Sequence, residues 1–393
     1  MNQALELAQW VEDYVIEQRR WVHSHPELSW QEQETTRHIA EELRAMEIEP
    51  LFFQTPTTGL YAYIRGGKAA PNGKTILLRA DIDALPVQEQ NDVPYKSQND
   101  GVMHACGHDC HVAMLLGAAK ILKRLQPELT GNVKLLFQGA EETAIGAKTY
   151  VEQGVMEDVQ AVYGCHVNIN YPTGQIKLMP RECMPSADEF TIRVNGVSTH
   201  GAMPQYGKDA IVAAAAIIMS LQTLVSRTND PLNPLVVSVG RIQGGQEYNI
   251  IANQVTMRGT VRTFDRELRA RMDELIRQIV QNTAQAFGCT AELDYLRKTG
   301  PVLHDSEEMN RLAREAAQKV YGPDAIAQET LGTFSDDFAY FSEQRPGFYA
   351  MIGIRNEALD CVYPHHHERF QVDESVLKLG TAMFVQMTQE FFQ

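Results

Sequence analysis

Apolar positions near the start of the chain recur at helical spacing. Leu5, Ala8, Val11, Val15 and Trp21 punctuate residues 3–23, with acids and glutamines between them, and predict a helix. Ser29 followed by Glu32 has the spacing of a capping box and predicts a second helix running to about Met46. Short apolar runs then alternate with helical ones: 61–64 and 75–80 predict strands, 112–125 a helix, 133–138 a strand, 146–153 a helix and 159–166 a strand. That alternation predicts a largely parallel sheet with helices on its faces.

The pattern then changes. Residues 189–195 alternate, with Phe190, Ile192 and Val194 on one face. An alanine-rich helix is predicted over 209–225, strands over 235–241 and 254–263 joined through Gly244-Gly245, an amphipathic helix over 267–287 and a strand over 290–295. The order β-α-β-β-α-β is that of the split βαβ sandwich, a complete small domain. A helix at 306–321, a strand-like 347–353 and a helix from Asp373 return to the first pattern. The expected architecture is therefore α/β with two domains: 1–183 with 296–393, and an inserted 184–295.

A chain of 393 residues exceeds the size of a single core, which agrees with two domains. The net charge of -15 argues against nucleic acid or an anionic membrane as main partner, since both call for clustered Lys and Arg. The opening M-N-Q-A-L-E-L-A-Q-W lacks the basic end and apolar run of a secretory signal, and the apolar stretch 211–219 is too short to span a bilayer. Six sparse cysteines without a signal read as reduced thiols, so the expected compartment is the cytoplasm.

Chemistry concentrates in a few segments. After the strand at 75 comes R-A-D-I-D-A-L-P with Asp81 and Asp83; after that at 133 comes F-Q-G-A-E-E with Glu141 and Glu142; after that at 159 comes G-C-H with His166. Ends of strands are where an open α/β sheet holds ligands. M-H-A-C-G-H-D-C-H adds His104, Cys106, His108, Asp109 and His111, and P-H-H-H-E-R-F follows late at 364–370. One histidine alone is more often a satisfied polar residue than a ligand, Cys106 alone a small buried hydrophobe, and Glu-Glu alone a solvated loop. Together at three neighbouring strand ends they predict a transition-metal site, with one glutamate left over as a general base. There is no G-x-S-x-G elbow, no phosphate loop and no H-E-x-x-H helix.

At these motifs, and at H-P-E-L, S-T-H-G-A-M-P and S-D-D-F-A-Y, the chain resembles the M20 metallopeptidase/amidohydrolase family in its aminoacylase and hippurate-hydrolase branch. The resemblance implies a zinc-peptidase-like catalytic sheet with a ferredoxin-like lid or dimerisation domain. It also implies hydrolysis of the amide bond of N-acyl amino acids by two divalent ions per subunit (Zn, Mn, Co or Ni), in a homodimer or higher oligomer. By it the metal ligands are Cys106, His108, Glu142, His166 and His366, with His365 and His367 as alternatives to the last. Glu141 is the base, Asp83 supports the metals, His200 stabilises the oxyanion, and Asn249 and Arg262 hold the substrate carboxylate. The rival readings are a dipeptidase or carboxypeptidase of the same superfamily, and a metal or metabolite binder without catalysis. One departure concerns the glutamate turn: Gly139 stands where the family usually has Pro, which implies a looser turn.

Overall fold

The computed structural model describes every residue except Met1, Pro56 and 328–333. It divides into two compact units, Met1–Cys183 with Leu303–Leu331 and Asp336–Gln393, and Met184–Val302 with Gly332–Ser335.

The larger unit is built on an eight-stranded sheet. Its four central strands, Asn132–Gln138, Thr75–Asp81, Ala161–Pro172 and Gly347–Arg355, are mutually parallel neighbours in that order. Thr75–Asp81 and Asn132–Gln138 are buried at every position, as strands covered on both faces must be. The covering helices include His108–Leu125 and Leu377–Phe392, whose Met114, Leu115, Phe384 and Val385 are fully buried. Gly380 lets the two helices approach, since a Cβ there would overlap the sulfur of Met114.

One irregularity of this sheet makes the site. Thr75–Asp81 pairs with Ala161–Pro172 only from Ile76↔Ala161 to Arg79↔Gly164, while the latter strand stays paired with Gly347–Arg355 to Asn168 and, past a register shift, again at Pro172. The sheet therefore splays open beside Cys165 and His166. The sequence pattern ends this strand at His166; the structure carries it on to Pro172, because its other edge is still hydrogen-bonded.

Other expectations shift for equally local reasons. The first predicted helix is two, Gln3–Trp10 and Glu12–Ser24, broken at Val11. The capping box does not form. The helix Gln33–Ala45 is capped instead by Glu27, whose carboxylate accepts from the amides of Glu34 and Thr35, and Ser29 and Glu32 turn elsewhere. The helix predicted from 112 starts at His108, because Gly107 takes a left-handed φ of 99° and its hydrogen fits where a Cβ would strike Val167.

The smaller unit holds an antiparallel sheet in the order Thr290–Thr299, Ala187–Asn195, Gln254–Thr263, Leu235–Gly244. Phe190, Ile192 and Val194 face inward, against Ala213, Ala214, Ile217 and Leu221 of one helix and Met272, Ile276 and Val280 of the other. The helical run Ala210–Thr228 has 19 residues and is long and apolar enough, by length and composition alone, to cross a membrane. The apolar stretch at its start underrepresents it, since the helix continues through a π turn. Its buried side is the core of this unit.

Candidate metal centre

Four imidazoles line the splayed sheet, and each is oriented by its Nδ1. His108 Nδ1 donates to the backbone carbonyl of Asp83 at 2.9 Å, His166 Nδ1 to that of Val167 at 2.6 Å, and His365 Nδ1 to that of Cys106 at 3.1 Å. His111 Nδ1 donates to Asp81 Oδ1 at 2.5 Å, and its Nε2 accepts from the amide of Val167 at 3.0 Å. In His166 and His365, and in His108 once its second proton is displaced, fixing Nδ1–H on an oxygen leaves Nε2 as the lone-pair donor, which is how imidazoles are prepared for a metal; the Nε2 of His111 is already taken by the Val167 amide. Burial holds the protons of His166 and His365 off, the latter falling to about 4. His108 goes the other way: burial opposes its charge, but Asp81, Asp83 and Glu142 outweigh it and push it up to about 10. A site that protonates a buried imidazole against desolvation is one that calls for positive charge.

Glu141 and Glu142 sit on a short turn after Asn132–Gln138, with Ala140 before them at φ 59° and Ala144 after them at φ 61°. Among the described residues six besides glycine are left-handed, and three of them, Ala140, Ala144 and His366, border this centre. Backbone strain gathers where the surrounding structure over-determines the geometry. Burial raises the carboxyl of Glu141 well above the usual range, and Asp336, Glu142, Asp337 and Asp83 add to it. Burial also lifts the thiol of Cys106, with Glu142 and Glu141 next in weight.

Two groups share one sulfur. Cys106, His108 and His166 have donor atoms within 4.8 Å of one another, and so do Cys106, Glu142 and His366. Cys106 Sγ lies 3.5 Å from His166 Nε2, and His366 Nε2 lies 3.6 Å from Glu142 Oε1. The chemistry fits divalent transition ions. The donor set is one sulfur, imidazoles and carboxylate, and His108 Nε2 and Glu142 Oε1 are buried without any hydrogen-bond partner. Such atoms are costly unless something binds them. Of the three adjacent histidines only His366 joins a group: His365, its Nδ1 on the Cys106 carbonyl, belongs to none, and His367 stacks on Tyr363 with centroids 4.8 Å apart.

Asp83 lies under this arrangement. Its Oδ1 accepts from the amide of Glu141 at 3.1 Å and its Oδ2 from that of Glu142 at 3.0 Å. Asp109, named with the motif, points away and pairs with Arg19 and His23 at 2.8 Å each. His104 is buried with neither ring nitrogen bonded and belongs to no group. In the smaller unit, His200 Nδ1 accepts from the amide of Ala202 at 3.1 Å, the Asn249 carbonyl accepts from Gly201, and Arg262 donates to Ser335 Oγ at 3.0 Å.

Behind the glutamates lies a buried network that no motif in the sequence announces. Arg79 is fully buried and donates to Asp81 at 2.6 Å, Gln138 at 2.8 Å and Asp337 at 2.9 Å. Asp337 also accepts from the amide of Ala147 at 2.7 Å. Asp81, with His108 and His111, forms another possible ligand group, but its oxygens are committed to Arg79 and His111. An arginine directly after the apolar run 76–78 was the available signal, since a buried guanidinium demands acids around it. Gly139 is not loose either: its amide donates to Tyr150 Oη at 3.0 Å, a bond no proline could make.

Residues 77–390 match the family described as peptidase family M20/M25/M40. The chain is 38% identical over 375 residues to thermostable carboxypeptidase 2 of Saccharolobus solfataricus, covering 94% of this chain and 93% of that protein. It is 38% identical over 373 residues to N-acetylcysteine deacetylase of Bacillus subtilis, covering 95% of each. A crystal structure of a dinuclear metal binding peptidase of the M20 family from Bacillus subtilis superposes with a TM-score of 0.84, at 35% identity over 98% of this chain and 99% of that one.

Proposed function

The chain belongs to peptidase family M20/M25/M40, and from that premise we propose that it is a metal-dependent hydrolase of the amide bond in N-acyl amino acids. The observation that carries this is one thiol shared by two ligand groups beside a second, adjacent glutamate. Two divalent ions per chain fit it, as in the dinuclear relative. Cys106, His108, His166, Glu142 and His366 would hold them, with Cys106 common to both.

Bound divalent ions supply Lewis acidity and lower the pKa of water. The protein's part is proton traffic and orientation. Glu141 takes a proton from the attacking water and returns it to the departing amine, which requires its carboxylate form. Positive charge among these acids restores that form, so the same neighbours that lift its pKa in the bare protein tune it in the loaded one. Asp83 keeps Glu141 and Glu142 at fixed separation through their amides. His200 is assigned to the developing oxyanion, and Asn249 and Arg262 to the substrate carboxylate. Burial disfavours the charge of Arg262, so an anionic partner would stabilise it.

We assign the smaller unit to a homodimer contact. Ile211, Val212 and Met219 of its first helix, and Val236 and Ile242 of its edge strand Leu235–Gly244, are exposed apolar residues that a second copy would cover. A cytoplasmic location goes with six free cysteines.

The similarity to a carboxypeptidase favours a second reading, release of a C-terminal amino acid from a short peptide, which uses the same bond and the same residues. The test is a panel of N-acetyl and N-benzoyl amino acids beside dipeptides, given to chelated enzyme refilled with single metals. Turnover of acyl amino acids supports the first reading. Turnover of dipeptides alone supports the second, and metal loading with no hydrolysis of either would leave a binder.

A further inference from the structure

The turn bearing Glu141 and Glu142 is held by side chains. Four consecutive amides, those of residues 139 to 142, donate to Tyr150 Oη at 3.0 Å, Glu32 Oε1 at 2.8 Å, Asp83 Oδ1 at 3.1 Å and Asp83 Oδ2 at 3.0 Å. Tyr150 is itself fixed by donating to the carbonyl of Thr58 at 3.1 Å. Of these groups Glu32 is the one whose presence is hardest to explain by stability. It is fully buried, and its Oε2 has no hydrogen-bond partner. Burial, and then the charge of Asp83, push its carboxyl from 4.5 up to about 7. An apolar side chain of similar volume would avoid all of that.

What Glu32 does have is the amide of Ala140, the left-handed residue that immediately precedes the glutamates. Left-handed backbone in a residue with a Cβ is strained and has to be held by its surroundings. Gly139 belongs to the same device. A Cβ there would lie 2.9 Å from Glu32 Oε1 and 2.9 Å from Tyr150 Oη, so a larger residue would have to displace the two oxygens that hold the turn. Ser29, three residues before Glu32, donates to Asp83 Oδ2 at 2.7 Å, so one short segment supports both carboxylates that grip the turn.

We propose that Glu32 is a positioning residue for the hydrolytic reaction: by holding the Ala140 amide it fixes the left-handed turn that aims Glu141, without touching substrate or metal. The proposal rests on the reading of Glu141 as the base. Its action is on orientation, so its loss lowers turnover and leaves metal and substrate affinity in place.

The experiment compares Glu32→Met and Glu32→Gln with wild type in the metal-loaded enzyme, measuring kcat, KM, metal per chain and Tm on an N-acetyl amino acid. Methionine keeps the volume and removes both acceptor and buried acid. Glu32→Met is expected to keep its metal and KM, hold or raise Tm, and lose kcat by about 10- to 100-fold, the scale of a small misplacement at a reacting centre. Glu32→Gln keeps an oxygen for the Ala140 amide and should recover most of that loss. Wild-type kcat in Glu32→Met would overturn the proposal. So would a loss that merely follows lost metal or lost folded protein, or one that glutamine does not relieve. Failure of the underlying reading looks different, because Glu141→Gln would then retain full activity whatever Glu32 does.

Discussion

The two halves of the candidate centre are anchored in different ways. On the imidazole half, His108, His166 and His365 hang from backbone carbonyls of the sheet and its loops, and His111 spans Asp81 and the amide of Val167. On the glutamate half the direction is reversed: backbone amides of a short turn hang from side chains of Glu32, Asp83 and Tyr150. Backbone anchors cannot be deleted by mutation, whereas side-chain anchors can be removed one at a time. The imidazole half, together with Glu142, should therefore control whether metal is held, and Glu141 with the turn that aims it how fast the bond is cut.

The sharpest way to break that comparison is at Glu141. Glu141→Gln preserves shape and removes the base, so kcat should fall by about 10²- to 10⁴-fold, with metal per chain unchanged. Loss of metal in parallel with activity would mean that Glu141 is a ligand and that the division between the halves is false.

A second test reads the turn through stability. The Glu32 carboxyl rises from 4.5 to about 7 on folding, so the native protein binds that proton more tightly than the unfolded chain does. Stability from this source is fully present below pH 4.5 and is lost as pH climbs through 7, a change of about 3 kcal/mol at most. Other titrations are common to wild type and Glu32→Met and cancel in their difference. Unfolding of the pair between pH 5 and 8 should show the variant gaining on wild type as pH rises, and a flat difference would remove the buried acid from the account.

His111 probes the other half. His111→Ala frees the Val167 amide and the segment that carries His166, which should weaken metal binding by about 10- to 100-fold in competition with a chelator. With both sites saturated, kcat should come back near its original value. A kcat that stays low at saturating metal would place His111 on the glutamate side of the division.

What the sequence made legible follows the same line. The smaller unit was readable because its order comes from alternation and helical spacing: Phe190, Ile192 and Val194 point inward as their period of two requires. The clustering of Cys106, Glu142 and His166 was readable because strand ends converge in any parallel sheet. The anchors were not. Ser29 and Glu32 carry the spacing of a local cap, and nothing local reveals that they reach Asp83 and Ala140 across 54 and 108 residues. Arg79 follows Ile76, Leu77 and Leu78 in a strand buried at every position, and its acids Asp336 and Asp337 come from the far end of the chain. Hydrogen bonds between distant segments leave no period behind them.

Asp83 is where the halves meet, and it gives the finest test. Its backbone carbonyl orients His108 while its carboxylate grips the amides of Glu141 and Glu142. Asp83→Asn leaves the carbonyl in place and keeps one side-chain oxygen, but sets an NH2 against an amide N–H. One of the two grips on the turn is lost, so kcat should fall by about tenfold while metal affinity stays near wild type. If metal affinity falls as well, the Asp83 carboxylate, which lies 3.3 Å from His108 Nδ1, helps to orient that imidazole and the two halves share an anchor. Either result fixes how independent binding and cutting are, because Asp83 contacts a candidate ligand and the base through separate parts of itself.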